Sequence, residues 1–199
     1  MPMVIRIRCL PCPFSMGTMR WLEEALLQSQ LDYWRQELGG DIPAVELPSD
    51  RPRPVFPSYE GGRVVRVYPV RLREALKNLA ANEGATLFMV MLAAFDVLLN
   101  RYTGQDLIYV GTPVANRSRP ELEDLIGFFV NTLVLKADFQ KNPTFIELLS
   151  QVRRTALAAF QHQDIPFERL VEDLQPQRET NRPPFFQVMF VLQNEPMPE

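Results

Sequence analysis

Only one side chain in this protein has an ordinary pKa close to neutral pH, the range best suited to general acid–base catalysis. The 199 residues contain a single histidine, His162, followed by Gln163 and Asp164. A general base must reach the proton that it removes and needs a second group to orient it, and the spacing alone indicates no such arrangement. We therefore favour a structural role for His162. Asp164 and Pro166 are typical of a helix start at Phe167, with Asp164 as its N-cap.

The two cysteines are the other candidates for chemistry. Cys9 and Cys12 form a lone Cys-Leu-Pro-Cys motif. A structural zinc site needs about four ligands, and the sole histidine lies far away in the sequence. A redox pair is favoured by a following helix N-terminus, and residues 13–18 are a poor helix start. We predict two incidental cysteines and no metal site.

Composition argues against several classes of partner. The formal net charge is -3, and the basic residues are scattered along the chain, which disfavours nucleic acid. The longest apolar run, Leu87 to Phe95, is far shorter than the ~20 residues that cross a bilayer, so no transmembrane helix is predicted. Residues 1–17 lack the continuous apolar stretch of a secretory signal. A cytoplasmic location is the resulting expectation.

Apolar periodicity predicts the helices that must position these residues. Leucines and a tryptophan recur at three and four from residue 20 to 38, and Gly39-Gly40 ends that helix. Thr86 is placed to cap an apolar helix that must be buried on most sides. Thr144 and Glu147 form a capping box. The predicted helices cover 20–38, 72 to about 84, 87 to about 102, 144 to about 160, and a short stretch from 167.

Runs of β-branched and aromatic residues predict strands at 64–70, 107–110, 128–139 and 186–192. Residues 111–124 are predicted as a polar loop, and five prolines between 43 and 57 predict an extended connector on the surface. Residues 1–19 show no period and are predicted to be irregular. Because strands alternate with helices, the fold class is α/β.

Three segments, in this order and spacing, resemble the downstream signature motifs of nonribosomal peptide synthetase condensation domains. They are Ile126-Gly127-Phe128-Phe129-Val130-Asn131-Thr132, His162-Gln163-Asp164-Ile165-Pro166-Phe167-Glu168 and Arg182-Pro183-Pro184-Phe185-Phe186-Gln187-Val188-Met189-Phe190. Further similar stretches are Gly84 to Met89, Arg101 to Gln105 and Gly111 to Arg117. The resemblance runs from Trp21 to Asn194.

The resemblance implies a lobe related to chloramphenicol acetyltransferase, a mixed sheet with packed helices. In the family, carrier proteins deliver thioesters on phosphopantetheine arms into a tunnel between two lobes, where an amide bond forms. The resemblance thus implies peptidyl carrier proteins as partners and the phosphopantetheine arm as a substrate handle, with no directly bound cofactor.

The family's active site lies on a His-His-x-x-x-Asp-Gly motif upstream of the helix at 20–38. This sequence has one histidine, so the motif is absent. We expect residues 20–199 to be a partial C-terminal lobe that continues beyond its C-terminal end in the family, with residues 1–19 outside it. Such a fragment would be inactive alone, its N-terminal lobe being supplied in cis or in trans. The alternatives are a non-catalytic docking module for carrier proteins, or a relic.

The resemblance also implies site residues. Phe129, Asn131 and Thr132 are candidates to line the tunnel or face the substrate. For Asn131 and Thr132, the alternative is that they satisfy neighbouring backbone groups where the strand changes partners. The aromatic residues of the three motifs more often form core than a ligand site. Structural or carrier-facing roles are implied for the remaining motif residues, namely His162, Gln163, Asp164, Pro166, Phe167, Glu168, Arg182 and Gln187.

The third motif departs from the family pattern. Pro183 stands where the family usually has an asparagine. A proline has neither an amide side chain nor a backbone donor. We therefore expect this chain to lack the contacts that such an asparagine would make through its amide.

Overall fold

The computed structural model describes residues 24–50, 61–117, 127, 129–176 and 182–193. This part of the chain contains five helices and two strands. In chain order they are α1 (Glu24–Leu38), α2 (Val70–Asn82), α3 (Leu87–Thr103), β1 (Leu107–Val114), β2 (Asn131–Asp138), α4 (Phe145–Gln161) and α5 (Phe167–Leu174). The mixed α/β class is as predicted.

The two strands form an antiparallel pair that is the centre of the lobe. Their register runs from Leu107 opposite Asp138 to Val114 opposite Asn131. Both strands are buried on both faces over most of their length. Helix α4 packs on β2, and α3 packs on both α4 and β1. A strand covered on both sides needs apolar residues at consecutive positions, which explains the unbroken apolar runs in both strands.

Local signals set the ends of α3, and the N-cap at Thr86 is as predicted. The Thr86 hydroxyl accepts a hydrogen bond from the Met89 N–H at 3.3 Å, and this N-cap satisfies a donor that the helix leaves free. At the other end Gly104 adopts the left-handed conformation, with φ 68°. A residue with a Cβ adopts this conformation at a cost, so glycine is the favoured residue there.

The predicted capping box of α4 is confirmed. The Thr144 hydroxyl accepts from the Glu147 N–H at 3.4 Å, and the Glu147 carboxylate accepts from the Thr144 N–H at 2.7 Å. The hydrogen bond from the Thr144 N–H, followed by that from its hydroxyl, lowers the pKa of Glu147. This carboxylate also lies in the first turn, where it complements the helix dipole.

Helix α1 is confirmed, and its first described residue is Glu24; residues 20–23 of the predicted helix lie outside the described part. Leu31, Trp34 and Leu38 form its buried stripe, and Trp34 is fully buried. Past the helix, Gly40 has φ 106°, a conformation that glycine tolerates and other residues rarely adopt.

The strand predicted at 64–70 is wrong. Residues 61–69 contain no regular secondary structure, and Val70 already belongs to α2. Val64 and Val67 are 83% and 93% exposed. A β-branched sequence becomes a strand only when another strand pairs with it, and none of the described strands lies beside this segment.

The other predicted strands have different ends in the structure. Strand β1 continues to Val114, so residues 111–114 are not part of a polar loop. Pro113 is accommodated near the end of the strand, opposite Thr132. Strand β2 begins at Asn131, later than predicted. In both cases the pairing of the two strands, which is a tertiary feature, sets the ends.

The strand predicted at 186–192 is reduced to one bridge. Gly111 of β1 pairs with Met189 in parallel, through hydrogen bonds from the Gly111 N–H to Val188 O and from the Phe190 N–H to Gly111 O, each 2.9 Å. The ring of Phe186 lies so close that a Cβ at Gly111 would be 2.5 Å from it. Gly111 is therefore required by this close approach.

The helices are short or polar in comparison with membrane spans. Within the described ranges, no single helix is long and apolar enough to cross a membrane; α2 and α3 meet the criterion only when taken together, and they meet at 104°.

Candidate functional site

The residues of the second predicted motif gather around Asn131, the first residue of β2. The Asn131 side chain is buried, and its amide nitrogen donates to the carbonyls of Gln163 and Ile165, both at 2.7 Å. The side-chain oxygen accepts from the backbone N–H groups of Thr132 at 2.8 Å and Phe167 at 3.0 Å. One amide therefore connects the sheet, residues 162–166 and the start of α5. We call residues 162–166 the clamp loop.

The N-cap of α5 differs from the prediction. Pro166 occupies the cap position, and no side chain of the cap residue bonds to the helix. The free N–H of Phe167 is instead satisfied by Asn131, which comes from a distant strand. The prediction that Asp164 is the N-cap is wrong: its carboxylate accepts a hydrogen bond from the Gln30 side chain at 3.0 Å.

Helix α1 holds the clamp loop from the side opposite Asn131. The Trp34 indole N–H donates to the His162 carbonyl at 2.9 Å. The rings of Tyr33 and His162 are stacked, with centroids 4.1 Å apart and planes at 11°. Because Tyr33 is buried, with Glu37 as a further cause, its pKa is raised. The tyrosine therefore stays a neutral packing partner in the physiological range.

A bidentate ion pair extends this contact to α5. The Arg35 guanidinium donates to both oxygens of Asp173, at 2.8 Å each, and also contacts Asp32 at 2.9 Å. The fork geometry of arginine fits a carboxylate in this way and fixes orientation as well as distance. Helix α1 is thus attached to both the clamp loop and α5.

The chemistry open to His162 is limited by these contacts. The ring nitrogen Nδ1 lies 2.8 Å from the Ala158 carbonyl, which can only accept, so Nδ1 carries the proton. Within the described ranges, neither ring nitrogen contacts a carboxylate that would orient the ring as a base. The geometry is that of a helix-terminal histidine, since His162 is the C-cap of α4.

Phe129 and Thr132 lie beside Asn131 at the end of the sheet where β2 begins. Both are half-buried, and the Arg117 guanidinium lies 4.4 Å from the centre of the Phe129 ring. Val130, between Phe129 and Asn131, is 47% exposed. That the three candidate residues face a substrate stays a prediction. Phe128 lies outside the described residues.

Arg182 and Gln187 hold a different part of the chain. The Gln187 side-chain oxygen accepts from the Val45 N–H at 2.6 Å, and Arg182 forms an ion pair of 2.6 Å with Glu46. Gln105 reinforces this contact, donating to Ala44 O at 2.8 Å and accepting from the Glu46 N–H at 3.0 Å. Residues 44–46 of the proline-rich connector are thereby held on the lobe.

Sequence reasoning missed that Gln105 and Gln187 hold one segment, because 82 positions separate them (187 minus 105). One signal could have suggested a buried contact with the backbone. Gln187 is a polar residue between two apolar motif residues, Phe186 and Val188, and buried polar side chains are usually hydrogen-bonded.

The aromatic residues of the third motif are core residues, as predicted. Phe185 and Phe186 are buried, and both rings contact Phe167, with centroids 6.0 and 5.6 Å away. Phe185 has φ 66°, which is uncommon for a residue with a large side chain. This backbone conformation turns two consecutive aromatic rings toward the same neighbour.

An open groove of about 820 Å³ lies beside the connector. Arg182 and Gln187 are among the residues that line it, but Phe129, Asn131 and Thr132 are not. The groove is therefore separate from the clamp loop's contact with β2. Among the described residues, no group of three or more His, Cys, Asp or Glu side chains could hold a metal ion. Cys9 and Cys12 lie outside the described part.

Comparison with known proteins extends these observations. The sequence model of the condensation domain family matches residues 15–198. The chain is 54% identical over 177 residues to one of the subunits of linear gramicidin synthase from Brevibacillus parabrevis, covering 89% of this chain and 4% of that protein. It is 49% identical over 162 residues to surfactin synthase subunit 1 of Bacillus subtilis, covering 81% of this chain and 4% of that protein.

Solved structures agree with this similarity. The X-domain from teicoplanin biosynthesis matches with a TM-score of 0.81 and 29% identity, covering 88% of this chain and 40% of that chain. A four-domain nonribosomal peptide synthetase bound to AMP and glycine matches with a TM-score of 0.80 and 28% identity, covering 85% of this chain and 13% of that chain. The chain thus spans 4% of the two synthetase subunits and 13% to 40% of the two solved chains.

Proposed function

Because this chain belongs to the condensation domain family, we propose that it is one lobe of a domain that forms amide bonds within a nonribosomal peptide synthetase. The observation that carries the proposal is the family match over residues 15–198. The packing of the motif residues around Asn131 supports it, since two of the motifs meet there through hydrogen bonds.

The proposed reaction joins two carrier-bound substrates. The amine of an aminoacyl thioester attacks the carbonyl carbon of a donor acyl thioester, the C–N bond forms, and the C–S bond breaks. The donor's phosphopantetheine thiolate leaves and takes up the proton that the amine loses. In this proposal, peptidyl carrier proteins bring both thioesters on their phosphopantetheine arms, and the assembly works in the cytoplasm.

In this proposal the residues of this chain have positioning roles, and none of them transfers the proton. The single imidazole has Nδ1 committed to the Ala158 carbonyl and its ring stacked on Tyr33. Nε2 is the nitrogen that could still accept a proton, but His162 lies in the second motif and not in the His-His-x-x-x-Asp-Gly motif on which the family's active site lies, and no described carboxylate orients its ring. We therefore propose that a His-His-x-x-x-Asp-Gly motif outside these 199 residues supplies the base, and that the chain is inactive by itself.

A second candidate is non-catalytic docking of carrier proteins. It rests on the same contacts of His162, which hold the clamp loop in place without supplying a base. Under this alternative the clamp loop and α5 contact the carrier, and no amide bond is formed even when the other lobe is present.

The test is a dipeptide assay with donor and acceptor carrier proteins loaded with aminoacyl thioesters. The chain is assayed alone and together with the N-terminal half of a condensation domain that contains the histidine motif. We expect product by mass spectrometry only in the mixture. Mixtures with His162→Ala should still form dipeptide, because the imidazole is not the base, and carriers without phosphopantetheine arms serve as the blank.

Two other outcomes of the dipeptide assay would change the assignment. Product from the chain alone that disappears in His162→Ala would overturn the proposal and assign catalysis to His162. Carrier binding without product in any mixture would favour the docking alternative.

A further inference from the structure

Asn131 uses the full hydrogen-bonding capacity of its side chain on the backbone. A primary amide has two N–H donors and an oxygen that accepts two bonds. In this structure both donors are used at 2.7 Å, on Gln163 and Ile165, and the oxygen accepts twice, from Thr132 and Phe167. The side chain is buried, so none of these bonds is replaced by water without opening the lobe.

Other side chains would not make these four bonds. An aspartate has the same shape, but its second oxygen would face two carbonyl oxygens and repel them. A serine or alanine would leave several backbone groups without a partner. The contact therefore needs a group with donors on one side and an acceptor on the other, at the first position of β2.

The clamp loop lies between this amide and α1. On its far side, Trp34 donates to the His162 carbonyl at 2.9 Å and Gln30 donates to Asp164 at 3.0 Å. None of the four hydrogen bonds of the Asn131 amide goes to α1; two go to the clamp loop, one to β2 and one to the start of α5. Any effect of Asn131 on Trp34 therefore passes through the clamp loop, which Trp34 contacts directly, or through α5 and its ion pair with Arg35.

We infer that Asn131 is a positioning residue: it fixes the clamp loop and the start of α5 and thereby the surface that carries His162, Gln163, Asp164 and Glu168. That this surface meets a carrier protein is the carrier-facing role that the family resemblance implies for these residues, and it rests on the proposed function above. The dependence of the loop on Asn131 does not, because it follows from hydrogen bonds within this chain.

Trp34 reports on the loop directly. The chain has two tryptophans, and a Trp21→Phe background leaves Trp34 as the sole tryptophan, which is excited selectively at wavelengths where tyrosine does not absorb. Trp34 is fully buried, so release of the loop should shift its emission to the red and increase quenching by acrylamide. Far-UV circular dichroism, which reports the helices, should stay nearly unchanged. The variants are Asn131→Ala and Asn131→Asp, and Asn78→Asp on the exposed face of α2 is the matched control.

The pH dependence of the aspartate variant distinguishes release of the clamp loop from a general loss of stability. At neutral pH its carboxylate faces two carbonyls, and the loop should be released. As the pH falls and the carboxyl takes up a proton, one donor returns, and the Trp34 emission should move back toward that of the parent. Asn131→Ala should show the red shift at every pH, and Asn78→Asp at none.

Three results would overturn the inference. The first is Trp34 emission in Asn131→Ala that matches the parent. The second is an Asn131→Asp spectrum that does not respond to pH. The third is complete loss of the helical signal in both variants, which would make Asn131 a residue of general stability.

The complemented dipeptide assay connects this inference to function. Asn131→Asp should raise KM for the carrier protein by about tenfold, which corresponds to about 1.4 kcal/mol, with a smaller effect on kcat. If no mixture forms dipeptide while Trp34 responds as described, the proposed function fails and the role of Asn131 stands. If dipeptide forms and Trp34 does not respond, the role of Asn131 fails alone.

Discussion

Asp96→Asn should remove a pH dependence of stability that we expect the parent chain to show. Asp96 lies on the buried face of α3 and is 3% exposed. Burial raises its pKa well above the ordinary value, and no described hydrogen bond or positive charge offsets that effect. The folded chain therefore holds this carboxyl in its neutral form to a higher pH than the unfolded chain does.

The sign follows from proton binding. Below the unfolded-state pKa of about 3.9, both states hold the proton and Asp96 adds no slope. Above it, the unfolded chain loses the proton while the folded chain retains it, so the free energy of unfolding falls by about 1.4 kcal/mol per pH unit. The fall continues as the pH rises toward the raised pKa of the folded state, and it stops above that pKa.

Urea titrations from about pH 5 to about pH 8 measure this slope. Asp96→Asn should remove the part due to Asp96, because an amide does not titrate. Asp96→Ala should also remove it, because the ionisable group itself is gone. Glu74→Gln, an exposed change on α2, should keep the parent's slope. Equal slopes in the parent and Asp96→Asn would refute this reasoning.

Three further predictions concern packing, capping and association. Gly111→Ala should lower the free energy of unfolding by about 1–3 kcal/mol because the phenylalanine ring against it must move, whereas Gly61→Ala, with open space around it, should be neutral in the same urea titration. Thr144→Ala should cost about 1 kcal/mol by removing the N-cap of α4, and Ser150→Ala on that helix should cost less; equal losses would contradict the capping argument. The chain should associate at high concentration in light scattering, because Val64, Val65, Val67 and Tyr68 form a run of exposed apolar side chains, and Val67→Lys should reduce the mass; a monomeric parent at all concentrations would show the prediction to be wrong.

The sequence determined the features that depend on a few neighbouring residues. Helix α3 begins after Thr86 and ends with the C-cap Gly104, and the capping box of Thr144 and Glu147 begins α4. Such caps depend on residues within one helical turn of each other. The order of the motifs was enough to identify the family, since each motif is a short string read directly from the chain.

Only the tertiary structure decided how those motifs are used. Asp164 has the character of a local N-cap, yet it bonds to Gln30, 134 positions away, and Asn131, 36 positions away, satisfies the helix start in its place. The valines at 64–67 have the propensity of a strand, yet no described strand pairs with them. A cap or a propensity acts within a few residues, whereas a hydrogen bond across the fold depends on which distant segments pack together, and packing is settled by the whole chain.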